Sequence, residues 1–537
     1  MFRGLLALLL TLLTAAHANS SASDCPIPVV TTHSGDVCGH FSERDGRPVH
    51  AWLGIPYAQP PTGDRRFADP LPVEPWPALL NTQAPGHSCP QPPDPFRTDD
   101  AELPAPQDED CLYLNIWAPA QTTAELLPVL VYIHGGGFTH GSATDSLLPG
   151  SDWYLQDGSF LASRHNLVVV SLNYRLGALG FLAQAGVTDL RGNYGFRDQL
   201  LALEWLHQNL AAFGGDPNRV TLAGESAGAM SVSLHLHSSP ASAPLFRSAI
   251  IQSAPLAISY QTLEDTSLAG DAFLVATGCL LRTDQLSCLR SLPVEKLIEA
   301  QESWRRSSVL LDGGLQAVLP WKPVIDGELL VRQPLAAGSE PGRSKPMLLG
   351  FTADEGLMFV AYAVPDPLPA LLYPAALDLV FGGNLGKDVW QAFSAADQDD
   401  ARPVLSRAID EGIFVCPAYR LAETSSTGEA FVYRFSHAPS FTLDSNVQQC
   451  TGRSCHATEL SFVFGTGGFE DGFTVEEAEL SSAMMALWAA FVKDGPPAMA
   501  PWPAWDPAEA QLLELATPIR LVRPERHNCT LFSAFPH

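Results

Sequence analysis

The stretch that decides the fold is VTLAGESAG, residues 220–228. Its first four residues are apolar or β-branched and predict a buried strand. The next five match the G-x-S-x-G pattern, in which a serine sits on a strained turn between a strand and a helix. The two glycines let the backbone and the helix pass closely enough to expose the serine hydroxyl. The apolar residues that follow, up to His237, permit the required helix. Ser226 is therefore a candidate nucleophile.

Strands and helices on either side of this turn predict a mostly parallel sheet. Apolar runs predict strands at residues 129–133, 167–171, 347–351 and 430–435. Leucines at helical spacing predict a helix over residues 198–213, which the two glycines after it would end. This alternation predicts an α/β fold with a mostly parallel central sheet, helices on both faces and long insertions.

A second motif, HGGGF at residues 134–138, directly follows the first of these predicted strands. Acyl transfer builds negative charge on the carbonyl oxygen of the substrate, and backbone N–H groups aimed at that oxygen stabilise the charge. A run of glycines suits this task because side chains would block the approach. We therefore expect the N–H groups of Gly136, Gly137 and Ala227 to form an oxyanion hole.

A serine nucleophile also needs a histidine base and a carboxylate that orients it. On this type of fold the three residues follow one another in the order serine, acid, histidine. Two acids, Asp354 and Glu355, come directly after the strand predicted at 347–351. The downstream histidines are His437, His456, His527 and His537. Position along the chain alone leaves the choice of acid and base open.

The length and charge of the chain limit its function classes. Its 537 residues are enough for a large core, and they contain no internal repeat and no long low-complexity linker. Lys and Arg number 31 against 58 Asp and Glu, which gives a formal net charge of −27 with neutral histidines. Nucleic-acid binding needs a basic surface, so this charge argues against it. The proline-rich, acidic part at residues 90–106 is expected to be a surface loop.

The N-terminus predicts export. A positive charge precedes an apolar run at residues 5–13, and Ala16 and Ala18 occupy the two positions that a signal peptidase reads. This pattern predicts a secretory signal, residues 1–18, that is removed after Ala18. A membrane anchor needs about 20 apolar residues, so the run is too short, and no later stretch reaches that length. We expect residues 19–537 to form one large domain without a membrane span, secreted to an extracellular or periplasmic space.

Further motifs extend along nearly the whole mature chain. The most specific is EDCLYLNIW at residues 109–117. The others are GIPYA at 54–58, RF at 66–67, NYRLG at 173–177, GNYG at 192–195, FGGDP at 213–217, EL at 459–460 and a tryptophan-rich stretch at 488–505. Together they resemble the type-B carboxylesterases, the α/β-hydrolase family that includes cholinesterases and bile-salt-activated lipase. The resemblance implies the α/β-hydrolase fold and ester hydrolysis.

The same resemblance implies which residues form the triad with Ser226. The family's acid is the glutamate before a glycine, which corresponds to Glu355. The family's base is the histidine three residues before Glu459, which corresponds to His456. Glu225, beside the serine, matches a residue in the wall of the family's active site, and we leave it outside the catalytic set.

The ten cysteines are expected to form disulfides, because an oxidising compartment favours them over metal ligation. The resemblance supports the pairs Cys89–Cys111, Cys279–Cys288 and Cys416–Cys529, and the remaining four cysteines fall into the local pairs Cys25–Cys38 and Cys450–Cys455. The sequence NCT makes Asn528 a candidate glycosylation site, and Asn19 begins a second, weaker sequon. No metal site is expected.

One departure from the cholinesterases concerns the substrate. Cholinesterases hold a quaternary ammonium over a tryptophan in the loop closed by the first disulfide, through a cation–π interaction. The segment from Cys89 to Cys111 contains Phe96 but no tryptophan. We therefore expect no preference for choline esters.

The sequence thus predicts a secreted serine carboxylic-ester hydrolase that acts on a small-molecule ester through an acyl-enzyme and needs no cofactor. The alternative is a catalytically inactive adhesion or ligand-binding protein on the same fold, as some cholinesterase-like cell-surface proteins are. Such proteins usually lack a triad member, whereas Ser226, Glu355 and His456 are all present. A peptidase on this fold is a third possibility. The sequence indicates neither the ester nor the oligomeric state.

Overall fold

The structure is a computed structural model of the chain. It describes residues 25–96, 106–121, 125–144, 154–187, 189–311, 318–336, 345–396, 398–425, 429–441, 447–467, 472–496, 502–524 and 528–533. The secretory signal predicted at residues 1–18 and the sequon at Asn19 lie outside these residues.

The strands of the described residues form two sheets. They are β1 (Val30–Thr32), β2 (Gly35–Cys38), β3 (His40–Arg44), β4 (Arg47–Pro56), β5 (Leu80–Asn81), β6 (Tyr113–Pro119), β7 (Leu127–Ile133), β8 (Val168–Leu172), β9 (Gly215–Glu225), β10 (Ser248–Gln252), β11 (Met347–Thr352), β12 (Ala430–Phe435), β13 (Leu512–Leu515) and β14 (Arg520–Val522). β1, β2 and β5 form a small sheet, and the other eleven strands form the central sheet in the order β14-β13-β12-β11-β10-β9-β7-β8-β6-β4-β3.

The helices of the described residues follow strands of the central sheet from β7 onward, singly or in groups. They are α1 (Ser159–His165), α2 (Gly177–Phe181), α3 (Tyr194–Asn209), α4 (Ala227–His237), α5 (Ser267–Thr277), α6 (Gln285–Arg290), α7 (Val294–Leu311), α8 (Glu355–Ala363), α9 (Tyr373–Phe381), α10 (Gly383–Ala392), α11 (Arg402–Ile409), α12 (Cys416–Glu423), α13 (Leu460–Phe464), α14 (Val475–Asp494) and α15 (Cys529–Phe532). A π-helical turn, Asp410–Val415, joins α11 to α12.

The central sheet is parallel from β8 through β7, β9, β10, β11 and β12 to β13. Antiparallel strands complete it at both ends. Every residue of β8, β10 and β11 is buried, as expected for parallel strands that are covered on both faces. The predicted mostly parallel sheet is thereby confirmed. The carboxyl ends of its parallel strands meet at one edge, where open α/β sheets bind their ligands.

Two local predictions need correction. The long helix begins at Tyr194, four residues before the predicted start. Its first turn contains Gly195, which disfavours helices but is required by close packing, since a Cβ there would lie 2.3 Å from the carbonyl oxygen of Arg175. The segment that begins at Pro90 was expected on the surface, yet the side chain of Gln91 is buried and bonded to the backbone of Gly141. Residues 97–105 of this segment lie outside the described residues, so the correction concerns its first residues only.

All ten cysteines lie in the described residues and form five disulfides: Cys25–Cys38, Cys89–Cys111, Cys279–Cys288, Cys416–Cys529 and Cys450–Cys455. No helix in the described part of the chain combines the length and the apolar composition needed to cross a bilayer.

Candidate active site

Ser226 occupies the turn between the end of β9 and the start of α4, and the residue is partly exposed. Its backbone has φ +54° and ψ −122°, a conformation that is strained for a residue with a side chain. Close packing around the turn requires both flanking glycines. A Cβ on Gly224 would lie 2.5 Å from the carbonyl carbon of Gly228, and a Cβ on Gly228 would lie 2.1 Å from the carbonyl oxygen of Ile133. The turn therefore holds the serine at the carboxyl end of β9.

The glycine-rich loop after β7 runs beside this serine. Gly136 and Gly137 have φ values of +90° and +60°, which favour glycine. A Cβ on Gly135 would lie 3.1 Å from the Cβ of Ser226, so the loop leaves no room for a side chain there. Ala227 is the first residue of α4, where no carbonyl within the helix can accept its N–H. The expected oxyanion donors therefore come from two chain segments that meet at Ser226.

Sequence reasoning missed a side chain that holds this loop. The Oε1 of Gln91 accepts from the N–H of Gly141 at 2.8 Å, and its Nε2 donates to the carbonyl oxygen of Gly141 at 3.0 Å. Gln91 lies two residues after Cys89, which the disulfide fixes to Cys111. The amide thus fastens the end of the glycine-rich loop to the first disulfide. A glutamine in a proline-rich segment carries no sequence signal for this role.

The acid and base candidates come from the segments that follow two adjacent parallel strands. Glu355 is the first residue of α8 and follows β11, while His456 lies in the segment after β12. His456 Nδ1 lies 2.5 Å from Glu355 Oε2, and Glu355 Oε1 accepts from the N–H of Thr352 at 2.7 Å. Both side chains are buried, with exposed fractions of 0% for Glu355 and 5% for His456. With a proton on Nδ1, Nε2 is the ring nitrogen that can accept a further proton.

The residues that sequence position left as alternatives have other contacts. The N–H of Asp354 donates to the carbonyl oxygen of Ser454 at 3.0 Å, and the N–H of Ser454 donates to Asp354 Oδ2 at 3.1 Å. Asp354 therefore connects the two segments that carry Glu355 and His456. His437 Nε2 lies 3.6 Å from Glu477. Positions 527 and 537 lie outside the described residues.

A second carboxylate, that of Glu225, also faces the base. Its Oε1 lies 3.0 Å from His456 Nε2, so each ring nitrogen of His456 has a glutamate beside it. A third buried acid, Glu459, accepts from Gln252 Nε2 at 3.1 Å, and Gln252 Oε1 accepts from the indole of Trp488 at 3.2 Å. The sequence suggested Glu225 by its place beside the serine and by the family resemblance, and it gave no sign of the buried contacts of Glu459.

These acids set the proton affinity of the base. Burial alone would lower the pKa of His456, but the charges of Glu225 and Glu355 outweigh it and raise that pKa to about 9. Burial, assisted by the charge of Glu355, raises the pKa of Glu459 to about 7. The cluster thus favours the imidazolium form of His456, the species that forms when a serine transfers its proton.

Aromatic rings form an apolar surface beside the base. The rings of Phe359 and Phe414 lie 5.1 and 5.3 Å from the His456 ring, measured between centroids. Phe96 continues this surface, 5.9 Å from Phe359 and 5.2 Å from Tyr362. We call Phe96, Phe359, Tyr362 and Phe414 the aromatic wall. Phe414 is buried, whereas the other three rings are partly exposed and can contact an apolar group of a ligand.

The candidate glycosylation site at Asn528 already uses its side-chain nitrogen within the protein. Asn528 Nδ2 donates to Glu411 Oε2 at 2.9 Å, and the next residue is in the disulfide Cys416–Cys529. A glycan would be attached through that same nitrogen. Modification of Asn528 would therefore have to replace this contact.

Comparison with known proteins agrees with this architecture. The carboxylesterase family model matches residues 26–531. The chain is 35% identical to the para-nitrobenzyl esterase of Bacillus subtilis over 503 residues, which cover 92% of this chain and 96% of that protein. It is 32% identical to the liver carboxylesterase of Sus scrofa over 551 residues, 95% of this chain and 93% of that protein. It is 34% identical to the acetylcholinesterase of Bungarus fasciatus over 527 residues, 91% of this chain and 82% of that protein.

The extent of these matches decides the class of the protein. The family match covers almost the whole chain, and the relatives are similar along nearly their full lengths. The central sheet and its surrounding helices are those expected of this family. The chain belongs to the carboxylesterase family, has the α/β-hydrolase fold and is a carboxylic ester hydrolase.

Proposed function

We propose that this esterase acts through an acyl-enzyme, with Ser226 as nucleophile, His456 as base and Glu355 as the acid that orients the base. The observation that carries the proposal is the buried 2.5 Å contact between His456 Nδ1 and Glu355 Oε2. The strained backbone of Ser226 supports it, because strain of this kind clusters at active sites.

In the first half of the reaction, the Ser226 oxygen attacks the carbonyl carbon of the ester and its proton passes to His456 Nε2. The N–H groups of Gly136, Gly137 and Ala227 stabilise the negative charge that develops on the carbonyl oxygen. The carbonyl re-forms when the bond to the alcohol oxygen breaks, and His456 gives its proton to that oxygen. The alcohol leaves, and the acyl group remains on the serine.

In the second half, His456 takes a proton from a water molecule that attacks the acyl carbon. The bond to the Ser226 oxygen then breaks, His456 returns the proton to the serine, and the carboxylic acid is released. Glu355 stabilises the imidazolium in both halves, because its carboxylate is fixed against Nδ1 by the N–H of Thr352.

For the substrate, we propose a neutral ester with an apolar group that rests on the aromatic wall. The partly exposed rings of Phe96 and Phe359 offer such a group an apolar surface next to the base. The absence of tryptophan between Cys89 and Cys111 removes the residue on which cholinesterases would hold a cation.

We also propose that the protein is secreted as one domain, residues 19–537. The signal-like segment at residues 1–18 supports this location. The five disulfides support it as well, because disulfides persist in oxidising compartments. Expression of the full chain with mass analysis of the secreted product would test both the cleavage after Ala18 and the disulfide content.

The catalytic proposal is tested with a chromogenic short-chain ester and an organophosphonate label. The wild-type protein is expected to hydrolyse the ester and to take up one label, and Ser226→Ala is expected to lose both. Only the background from the oxyanion hole and binding should remain, about 10³–10⁴ over water. Ser291→Ala is a matched control, because that serine is exposed on the surface beyond α6.

Three results would contradict the proposal. A label on another serine of a folded Ser226→Ala protein would move the nucleophile elsewhere. A wild-type protein that neither hydrolyses esters nor takes up the label would favour the inactive adhesion or ligand-binding alternative. Faster cleavage of a peptide amide than of the matching ester would favour a peptidase.

A further inference from the structure

The helix that begins with Glu355 rests on the π-helical turn Asp410–Val415. This turn interrupts what would otherwise be one continuous helix from Arg402 to Glu423. π-Helical turns are rare and frequently lie at functional sites. Its position beside α8 makes its inward-facing side chains relevant to the acid of the triad.

Asp410, the first residue of the turn, supplies a cap to α8. Its Oδ1 accepts from the N–H of Gly356 at 2.5 Å. Gly356 is the second residue of α8, so its N–H is one of the four that no carbonyl within the helix can satisfy. The residue before the helix, Asp354, makes no side-chain cap and instead accepts from Ser454. The start of α8 is therefore capped from a different helix.

The packing at this contact leaves little freedom. A Cβ on Gly356 would lie 2.7 Å from the carbonyl oxygen of Ser406 and 2.9 Å from the Cβ of Ile409. The first turn of α8 is thus pressed directly against the end of α11. Because Glu355 immediately precedes Gly356, a cap on the Gly356 N–H also sets the backbone from which the Glu355 carboxylate extends.

The same turn reaches the base. Phe414, four residues after Asp410, is buried, and its ring lies 5.3 Å from the ring of His456. One turn of the chain therefore contacts the helix that carries Glu355 and also the imidazole that Glu355 meets.

The carboxyl group of Asp410 is buried near other acids, and these surroundings affect its pKa. Burial raises the pKa of Asp410 well above its ordinary value, the charges of Glu355, Asp354 and Glu411 add to this effect, and the bond from the Gly356 N–H works against it. The imidazole of His456 lies beyond Phe414 in the same cluster. Burial and the neighbouring acids thus favour the protonated form of Asp410, and its Oδ1 accepts the Gly356 N–H.

We propose that Asp410 is a positioning residue for the triad, whose carboxyl oxygen fixes the first turn of α8 and thereby holds Glu355 against His456. This inference rests on the proposed function, because Asp410 acts only through Glu355. It assigns Asp410 no contact with the substrate.

The test compares three substitutions of Asp410. Asp410→Ala removes the acceptor and should lower kcat by about 10- to 100-fold with little change in KM, since a misplacement of about 1 Å can cost on the order of 10²-fold. Asp410→Asn keeps an acceptor oxygen of the same shape and should retain most of the wild-type kcat. Asp410→Ser is the fallback should Asp410→Ala fail to fold.

A matched control distinguishes the positioning of Glu355 from the general effect of removing a helix cap. Asp284 caps α6 by accepting from the N–H of Ser287 at 2.9 Å, on an exposed part of the surface. Asp284→Ala should leave kcat unchanged. Proton NMR adds a readout of the site itself: the strongly deshielded proton between His456 and Glu355 should be retained in Asp410→Asn and lost or shifted in Asp410→Ala.

Wild-type kcat in Asp410→Ala, or in Asp410→Ser if that variant is needed, would overturn the inference. A loss of kcat in Asp410→Asn as large as that in Asp410→Ala would also overturn it, because a side-chain acceptor of the same shape would then fail to hold Glu355 in place. Glu355→Gln distinguishes this failure from failure of the proposed function. If Glu355→Gln keeps its activity, the triad is wrong; if it is inactive while Asp410→Ala is active, only the role of Asp410 is wrong.

Discussion

Replacing Glu225 by glutamine should move the acid limb of kcat/KM to lower pH. Glu225 Oε1 lies 3.0 Å from His456 Nε2, and its charge favours the protonated ring. The reaction needs the neutral ring, so activity rises with pH through the pKa of His456. Removing the carboxylate charge while keeping a side chain of the same size lowers that pKa, and the neutral base is then present at a lower pH.

The size of the shift follows from the charges around the base. A pKa raised from 6.5 to about 9 corresponds to about 3 kcal/mol in favour of the imidazolium, at 1.36 kcal/mol per pKa unit. Burial opposes this effect, so the carboxylates together contribute more than that amount. If this contribution to the pKa of His456 is divided equally between Glu225 and Glu355, each carboxylate raises that pKa by more than about one unit. The limb of Glu225→Gln should therefore move down by at least about one pH unit.

The assay is kcat/KM for a neutral chromogenic ester from about pH 5 to pH 10, which reports the free enzyme. An NMR titration of the His456 ring should show the same shift. The plateau at high pH should fall, because Glu225 also stabilises the imidazolium formed in the transition state. Glu204→Gln, on the exposed face of α3, is the matched control. A limb that coincides with that of the wild type, or that moves to higher pH, would refute this account.

Three further predictions concern the acid, the substrate and the short disulfide. Glu355→Gln should lower kcat far more than Asp354→Asn, because of these two acids it is Glu355 that contacts His456; the reverse order in steady-state kinetics would transfer the acid role to Asp354. Choline esters should be no better substrates than neutral esters of similar size, and a strong preference for the charged ester in kcat/KM would show another cation site. Replacing Cys450 and Cys455 by serine should lower kcat clearly and the melting temperature little, since a ring this small restrains little of the unfolded chain. Unchanged kcat with a large drop in melting temperature would contradict this.

The sequence predicted those strands whose residue pattern is sufficient to identify them. A strand buried on both faces is an apolar run, so β8 and β11 were found within one residue of their bounds. β9 was predicted only from Val220, yet it begins at Gly215. Its first residues include Asp216 and Pro217, which disfavour strands. Asp216 and Pro217 lie between two pairings of β9 with β7, Gly215 with Leu127 and Val220 with Val129. The register shifts between these two pairs.

The parts of the candidate site that could be predicted are those where the backbone conformation requires glycine. The glycines beside Ser226 and in the loop after β7 are required by close approach and by positive φ, so they leave a visible motif. Gln91 and Asp410 leave none, and the motif that contains Glu459 does not indicate its buried contacts. Their partners lie far away in sequence, as with Asp410 and Gly356, which are 54 positions apart, and only the packed fold brings them together. A polar side chain in a helix or loop looks the same in sequence whether it is solvated or buried.

The link between Asp354 and Ser454 affects how this region opens. Asp354 pairs with Cys455 as a parallel bridge, so the segments that carry Glu355 and His456 are joined backbone to backbone beyond the ends of β11 and β12. Parts of a protein that share such bonds open together as one cooperative unit. Local opening should therefore separate acid and base from the nucleophile together, and the amides of Asp354 and Ser454 should exchange their hydrogens with solvent at similar rates. Inactivation by mild heat or denaturant would then remove the acid and the base in one step.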